Sequence, residues 1–250
     1  MERKEIKLKL CGVKAEILYH KYLDVDVNTL LVSFKEKHRV LSTWDGYREV
    51  YFVANSHQPP ELEVYIMKHY PAYEEAIPKI LEVPRSSLAL ISTAAHMDNL
   101  AVCEKSYRDR AVCCLATGGV GNALRTGVDK AKWIEEDGTY VNTLGTINII
   151  IVTNAALTDG AMARAIITVT EAKTAALQDM DARSSVSPEL QATGTGTDNV
   201  VVVSGNWKNK PLISTGGHTK IGELIGASTK TAVAEAVKKH EAYMANKSQN

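Results

Sequence analysis

Two segments rich in glycine and threonine carry the side chains best suited to catalysis in this sequence. They are ATGTGTDN at 192–199 and STGGHTK at 214–220. Glycines have no Cβ and let the backbone turn tightly or come close to a ligand. Asp198 begins a predicted strand and His218 begins a predicted helix, so we expect a carboxylate and an imidazole to share one rim. An acid and a base placed together in this way can activate water or a hydroxyl group.

The second segment also offers a place for negative charge. Gly216 and Gly217 precede a long predicted helix, whose first backbone N–H groups have no partner inside the helix. This positive helix end suits a developing oxyanion and favours a neutral imidazole at His218. We therefore predict that His218 is a general base oriented by Asp198. A glycine turn with an incidental histidine is the alternative.

Two charged residues interrupt an alanine-rich helix predicted from Asp159 to Asp179. At about 100° per residue, Glu171 and Lys173 lie roughly 200° apart and cannot share a face. One of them should therefore point toward the sheet or a cavity, where a charge needs a partner or a ligand. Lys173 is a candidate to assist catalysis and Glu171 to bind substrate, although an ion pair between Glu171 and Arg164 is also consistent with the pattern.

A third glycine-rich segment, TGGVGN at 117–122, directly follows a predicted strand. Gly119, Gly121 and Asn122 are candidate ligand contacts, because an asparagine amide can both donate and accept hydrogen bonds. A dinucleotide-binding fingerprint is not complete here, since its third glycine would fall at Leu124. A tight turn before a short helix is the alternative interpretation.

Polar residues also follow another predicted strand, at His96 and Asp98. Side chains at a strand exit are well placed to reach a ligand. Together with Asp198 and His218, they could converge on a metal ion that activates water. We predict that no cofactor is required, and this metal set is the alternative; a solvated loop is the simpler interpretation of residues 96–98.

Composition excludes several classes of protein. Lysine plus arginine and aspartate plus glutamate number 29 each in 250 residues, and no basic run could follow a phosphate backbone. Nucleic acid is therefore not an expected partner. The most apolar run, at 147–157, is far shorter than the roughly 20 residues that cross a bilayer, and the N-terminus lacks a signal-peptide pattern. We expect a cytoplasmic protein with no membrane span, in which the four cysteines are reduced.

The periodicity of apolar residues predicts an α+β fold within one domain, residues 1–250. A β-rich N-terminal lobe at about 1–84 shows period-two alternation, and the prolines between 59 and 84 mark its boundary. The C-terminal lobe at about 85–250 has predicted strands that form a mixed, largely antiparallel sheet, with long helices packed on it. The strands are predicted at 88–94, 111–117, 146–152 and 199–204, and the helices at 159–179 and 218–244.

Four of these segments, taken together, resemble the adenosylcobinamide amidohydrolase family. They are TGGVGNALRTG, GTINIIIVTNAALTDGAMARAIITVTEAKTAAL, ATGTGTDNVVVVSG and GGHTKIGELIG, which lie in the last two thirds of the chain. The resemblance implies hydrolysis of the amide between the corrin propionyl side chain and aminopropanol of adenosylcobinamide, which releases adenosylcobyric acid in cobamide salvage. The cobalt-containing corrinoid is then the substrate.

Amide hydrolysis needs a nucleophile, stabilisation of the oxyanion and a proton for the departing amine. His218 acting on water is one route, Thr195 or Thr197 as a covalent nucleophile is a second, and metal-bound hydroxide is a third. A corrinoid carries a fringe of amides, so side chains that hydrogen-bond amides should border its site. The residues expected to do so are Asn122, Asn154, Thr193, Asn199 and, through their backbone, Gly194 and Gly196.

Two other classes remain open at this point. A carrier or sensor would bind a corrinoid without hydrolysing it. A phosphate or nucleotide binder would use the glycine-rich loops, although the sequence lacks the lysine-containing phosphate-binding motif.

Overall fold

The computed structural model describes residues 1–131, 145–206 and 210–247. Its N-terminal part is built from long antiparallel strands, as their period-two alternation predicts. Two helices follow, and the next strand then pairs in parallel with the fourth. The elements are β1 (Glu2–Ile6), β2 (Val13–Tyr22), β3 (Val25–Ser42), β4 (Gly46–His57), α1 (Glu63–Lys68), α2 (Tyr70–Ile80) and β5 (Leu88–Thr93).

The C-terminal part supplies the remaining strands and the two longest helices. Most of its strands are runs of Val, Ile and Ala, because both of their faces are covered. The elements are β6 (Ala101–Tyr107), β7 (Arg110–Gly118), β8 (Ala123–Leu124), β9 (Ile147–Thr153), α3 (Asp159–Asp179), β10 (Gly194–Thr195), β11 (Asn199–Val203) and α4 (Lys220–Lys247).

One mixed sheet connects both parts of the chain. Its main path runs β1-β2-β3-β11-β9-β7-β6, and β4 pairs with β3 and β5. Only the pairs β9–β11 and β4–β5 are parallel in this sheet, so the described part of it is largely antiparallel. Hence the predicted α+β class is confirmed, and the two predicted lobes share a continuous hydrogen-bonded sheet through β3 and β11.

The sheet folds over on itself, so that its two halves face each other. Alternate residues of β7, β9 and β11, such as Leu115, Ile150 and Val201, pack between the halves against residues of β2–β5. The intervening residues, such as Ile149, pack outward against α3 and α4. The outer face of β2–β5 is covered by α1 and α2. The result is four layers, helix–strand–strand–helix.

One end of this sandwich positions the candidate site. Strands β9 and β11 begin there and β7 ends there, because β7 is antiparallel to β9. Thr117, Asn148 and Asn199 lie side by side across the three strands. Among the described residues, no helix combines the length and the apolar character that a membrane crossing needs.

Candidate active site

Lys173 and Asp198 form an ion pair at this end of the sandwich. The ammonium group comes from α3 and the carboxylate from the turn that leads into β11. Their side chains are only 10% and 13% exposed. Lys173 is buried and Glu171 is exposed, which confirms that one of the two charges faces inward. In the described ranges, Glu171 forms no ion pair with Arg164, so that alternative is wrong.

The Asp198 carboxylate also accepts hydrogen bonds from its own turn. The Thr195 hydroxyl donates to Oδ1 at 2.6 Å, and the Thr195 backbone N–H donates to Oδ2 at 3.0 Å. A further N–H, that of Ile147 at the start of β9, donates to Oδ1 at 3.0 Å. Aspartate commonly closes turns by accepting nearby backbone N–H groups. Here those bonds fix the carboxylate between a hydroxyl and an ammonium group.

Gly194 makes this close arrangement possible. A Cβ on residue 194 would overlap both the Lys173 Nζ and the Asp198 Oδ2. Any other residue would therefore push the ion pair apart. Glycine at this position lets the two side chains approach the backbone closely without a shift, as the ATGTGTDN pattern suggested.

The neighbouring threonine and glycine residues tie the site to the chain that enters β9. The Thr197 hydroxyl donates to the Gly145 carbonyl at 2.9 Å, and the Thr146 hydroxyl donates to the Thr197 carbonyl at 2.6 Å. Thr195 and Thr197 hydroxyl oxygens are 3.5 Å apart. Segment 192–199 is thus held between α3 and the start of β9.

The TGGVGN loop, and not the STGGHTK segment, is the partner of ATGTGTDN. Strand β8, which follows the loop, pairs with β10, so that Ala123 lies opposite Thr195. Asn122 lies against Gly145, whose φ of +105° would strain any residue with a Cβ. The Gly119 N–H donates to the Thr146 carbonyl at 3.1 Å. The predicted contacts Gly119 and Asn122 therefore border the same site as Thr195.

A chain of buried amides and hydroxyls links this site to the space between the two halves of the sheet. Asn148 donates to the Asn55 side chain at 2.9 Å and to the Ser92 carbonyl at 2.7 Å. Asn55 donates to the Thr117 hydroxyl at 2.9 Å. These contacts join β4, β5, β7 and β9, and buried polar groups that are satisfied in this way specify one arrangement of a core.

The structure does not bring His218 to Asp198. His218 is exposed in the turn before α4, and Thr215 in that turn donates to the Ala161 carbonyl at 2.7 Å. Gly216 lies against Arg164, which is roughly 13 Å from Lys173 along α3 at 1.5 Å per residue. No hydrogen bond or ion pair joins His218 to Asp198 in the described ranges. The predicted pairing is therefore wrong.

The predicted backbone oxyanion site before α4 is also distant from Asp198. Gly216 and Gly217 lie in the same turn as His218, and the Gly216 carbonyl accepts from Thr219. Thr219 in turn accepts from the Gly222 N–H at 3.1 Å, which caps the helix with a side-chain oxygen. This part of STGGHTK is accounted for as a helix start, the alternative interpretation of the sequence.

The predicted metal set is likewise divided, because His96 and Asp98 lie together whereas Asp198 and His218 lie in two other places. Asp98 bonds to Tyr19 at 2.5 Å and to Lys4 at 3.1 Å, and His96 contacts Asn28 at 2.5 Å. Asp198 is paired with Lys173, and His218 lies in the turn before α4, which packs against the first half of α3. Within residues 1–131, 145–206 and 210–247, no group of His, Cys, Asp and Glu could hold a metal ion.

Comparison with known proteins agrees with the resemblance noted in the sequence. The adenosylcobinamide amidohydrolase family model matches residues 14–245. The chain belongs to this family. It is 45% identical over 227 residues to an uncharacterized protein of Methanocaldococcus jannaschii, covering 86% of this chain and 88% of that protein.

Two solved structures are similar to this family member at low identity. The PH0078 protein from Pyrococcus horikoshii OT3 matches with a TM-score of 0.42 and 12% identity, over 92% of this chain and 84% of that one. The L-aminopeptidase D-Ala-esterase/amidase of Ochrobactrum anthropi matches with a TM-score of 0.41 and 9% identity, over 90% and 83%. At these TM-scores the likeness defines neither the fold nor the chemistry of this amidohydrolase family member.

The remaining predicted substrate contacts fall in different places. Asn154 lies at the far end of β9, where its amide accepts from Ala111 and donates to Asp109. Its predicted contact with the site is therefore wrong. Asn199, beside Asp198, accepts from Thr43, and Thr193 accepts from the Thr126 N–H. Gly121 and Gly196 lie in the two loops that meet, and both could approach a ligand.

Several residues at this end of the sandwich were not predicted from the sequence. Asn55 and Asn148 are polar positions inside apolar strands, and Thr146 directly precedes one; that pattern is the signal that could have identified them. A buried polar group in a strand needs a partner across the core. His240 was assigned no role from the sequence, because a single histidine on a helix gives no functional signal. Its contact with the Gly119 backbone is visible only in the structure.

Proposed function

We propose that this protein hydrolyses the amide between the corrin propionyl side chain and aminopropanol of adenosylcobinamide. The products are adenosylcobyric acid and aminopropanol, and the reaction is a step of cobamide salvage. Family membership supports an amidohydrolase. The observation that carries the chemistry is the Thr195 hydroxyl donating to Asp198 at 2.6 Å while Asp198 is paired with Lys173.

Thr195 is the nucleophile in this proposal. A hydroxyl needs a proton acceptor as it attacks, and Asp198 already holds the proton of Thr195 in a hydrogen bond. The Thr195 oxygen forms a bond to the amide carbon, its proton passes to Asp198, and the carbonyl oxygen becomes an oxyanion. The C–N bond then breaks, and aminopropanol leaves with that proton. Water hydrolyses the resulting ester to the free acid and restores the Thr195 hydroxyl.

In this proposal, Lys173 and Asn122 stabilise the charges that form during the reaction. The Lys173 ammonium group lies at Asp198 and places positive charge next to the reacting hydroxyl. Asn122 precedes Ala123, which is paired with Thr195, and its side chain lies against Gly145, whose carbonyl accepts from Thr197. A fixed N–H donor stabilises an oxyanion, and removing one such donor costs roughly two to three orders of magnitude in kcat.

The other two routes have less support from the geometry. Water activated by His218 would require His218 near Asp198, yet Thr215 and Gly216 hold that turn against the first half of α3. A metal-bound hydroxide would require a donor set that the described residues do not form. Thr197 is a weaker nucleophile candidate than Thr195, because its hydroxyl donates to the Gly145 carbonyl.

The experiment that tests the function is incubation of the purified protein with adenosylcobinamide. Free aminopropanol and adenosylcobyric acid should appear in equal amounts, and acid quenching should trap a covalent corrinoid ester on the peptide that contains Thr195. Mass spectrometry identifies both the product and the modified peptide. A carrier or sensor would bind the corrinoid and release no aminopropanol, which would refute the proposed hydrolysis.

A further inference from the structure

Three histidines lie close together beside the TGGVGN loop. We call His57, His96, His240 and the adjoining Tyr243 the histidine cluster. The rings of His57 and His96 are 5.2 Å apart between centroids, and His96 stacks on Tyr243 at 5.6 Å. His57 ends β4, His96 follows β5, and His240 and Tyr243 come from the last turns of α4. The cluster therefore occupies the same end of the sandwich as Thr195.

The TGGVGN loop lies between the histidine cluster and Thr195. A Cβ on Gly119 would stand 2.8 Å from the His240 Nε2, so the imidazole packs directly on the loop backbone. The same glycine donates to Thr146 at 3.1 Å, and Thr146 donates to Thr197 at 2.6 Å. A broad, flat substrate whose side arm reaches Thr195 has its ring to one side of that arm. The cluster lies across the loop from Thr195, so a ring that extends over the loop meets it.

Burial favours the neutral form of the three imidazole groups, and two of them have a nitrogen without a hydrogen bond among the described residues. The Nδ1 atoms of His57 and His240 are buried and make no hydrogen bond in the described part of the chain. Burial lowers the pKa of His57 to about 3, and burial also lowers the pKa of His96 and of His240. A neutral imidazole keeps a lone pair, which is why histidine is the commonest metal ligand in proteins.

The cluster does not form a site for a free metal ion, but a metal held by a macrocycle requires fewer ligands from the protein. Among the described residues, no group of His, Cys, Asp and Glu has the arrangement to hold a free ion. A corrin ring already binds its cobalt in the plane of the ring, so the protein has to supply only one axial ligand. Imidazole nitrogen suits transition metals of this kind. In adenosylcobinamide the adenosyl group takes one axial position and leaves the opposite one open to exchange.

We propose that His240 is the axial ligand of the corrinoid cobalt. This inference rests on the proposed function, since it takes the same substrate. His240 is favoured over His96, whose ring is held by Asn28 at 2.5 Å. It is favoured over His57, which is more deeply buried. A turn of the half-buried His240 ring about its side-chain bond breaks no hydrogen bond at Nδ1.

The experiment uses cobinamide with its cobalt reduced to the Co(II) state and records the electron paramagnetic resonance spectrum of the complex. A nitrogen ligand splits the cobalt lines into triplets, whereas water does not. We expect triplets with the unaltered protein and their loss in His240→Ala and His240→Gln. Adding free imidazole to the His240→Ala complex should restore them. His38→Gln, a histidine at the opposite end of the sandwich beside Ser204, is the control and should keep the triplets.

The outcomes separate this inference from the proposed function. If the unaltered protein binds cobinamide without nitrogen splitting, or does not bind it, His240 is not the ligand. Splitting that persists in folded His240→Gln would also overturn the assignment. Splitting together with no release of aminopropanol would refute the hydrolysis and leave the ligand assignment standing. Circular dichroism checks that each variant is folded.

Discussion

The Lys173–Asp198 ion pair depends on a missing side chain at residue 194. Since a Cβ at Gly194 would overlap both charged groups, they approach each other only across a glycine. Breaking a buried pair costs about 3–5 kcal/mol, more than an exposed pair is worth. A pair that is 10% and 13% exposed therefore sets the position of Asp198, and through it the direction of the Thr195 hydroxyl.

Gly194→Ala should separate Lys173 from Asp198 and lower kcat by about tenfold to a hundredfold, the loss expected when catalytic geometry shifts by about 1 Å. Its stability should fall by about 1–3 kcal/mol, the usual range for overpacking. Steady-state kinetics and urea unfolding measure the two effects. Gly160→Ala is the control, because a Cβ there meets nothing within 4 Å at the start of α3. Equal kcat values in the two variants would show that the ion pair does not govern catalysis.

How well the role of a single residue could be predicted depended on the sequence pattern around it. One of the two charges Glu171 and Lys173 was predicted to face inward from an apolar helix, and Lys173 does so. His218 and Asp198 were paired because both followed glycines, a pattern that contains no information about which loops meet. The contact between Asn122 and the site follows from pairing of β8 with β10, each only two residues long. Strands that short have no periodicity to recognise.

At the scale of elements, two asparagines lie at opposite ends of strand β9, and only one of them is connected to the candidate site. Asn148 lies at its start and bonds across the core to Asn55 and Ser92. Asn154 directly follows the other end of β9. Its side chain donates to the Asp109 carbonyl just before β7 and accepts from the Ala111 N–H at the start of β7. Both amides stabilise the sheet. Only Asn148 also contacts Thr146, at 3.4 Å, and Thr146 holds the turn that bears Asp198.

Asn148→Ala and Asn154→Ala should each lower the free energy of unfolding by about 1–3 kcal/mol, because each leaves hydrogen-bonding groups without a partner. Asn148→Ala should in addition lower kcat at least tenfold at a temperature where the protein is folded, whereas Asn154→Ala should leave kcat within about twofold. Thermal unfolding and initial rates of aminopropanol release test this. A loss of kcat in both variants would mean that stability alone explains the effect.

Long elements were predicted well and interrupted ones were not. Helix α3 occupies Asp159–Asp179, as predicted, because its alanines and apolar residues continue without a proline or a turn. Strand β6 was not predicted. It lies at the edge of the sheet, and the polar, exposed residues in its second half resemble a loop in the sequence. Helix α2 was missed because it contains Pro71 and Pro78. Pro71 lies in the first turn, where the missing N–H is not needed.

At the scale of the whole molecule, the four-layer arrangement explains why distant segments form one site. The sheet folds so that β4 and β5 face β7 and β9, and all of their site-side ends meet at one end of the sandwich. Loops at strand ends are positioned by the rigid layers beneath them. The STGGHTK turn instead lies against the first half of α3, on the outer layer. Topology therefore decides which glycine-rich segments cooperate.

The most direct test of the central claim is the release of aminopropanol from adenosylcobinamide by Thr195→Val and His218→Ala, assayed side by side. Thr195→Val should lose at least about two orders of magnitude in kcat, since it removes the nucleophile, whereas His218→Ala should stay within about threefold of the unaltered protein. Thr168→Val is the matched control for loss of a buried threonine hydroxyl, which there donates to Thr215 at 2.9 Å. Full turnover by Thr195→Val together with inactivity of His218→Ala would contradict the account.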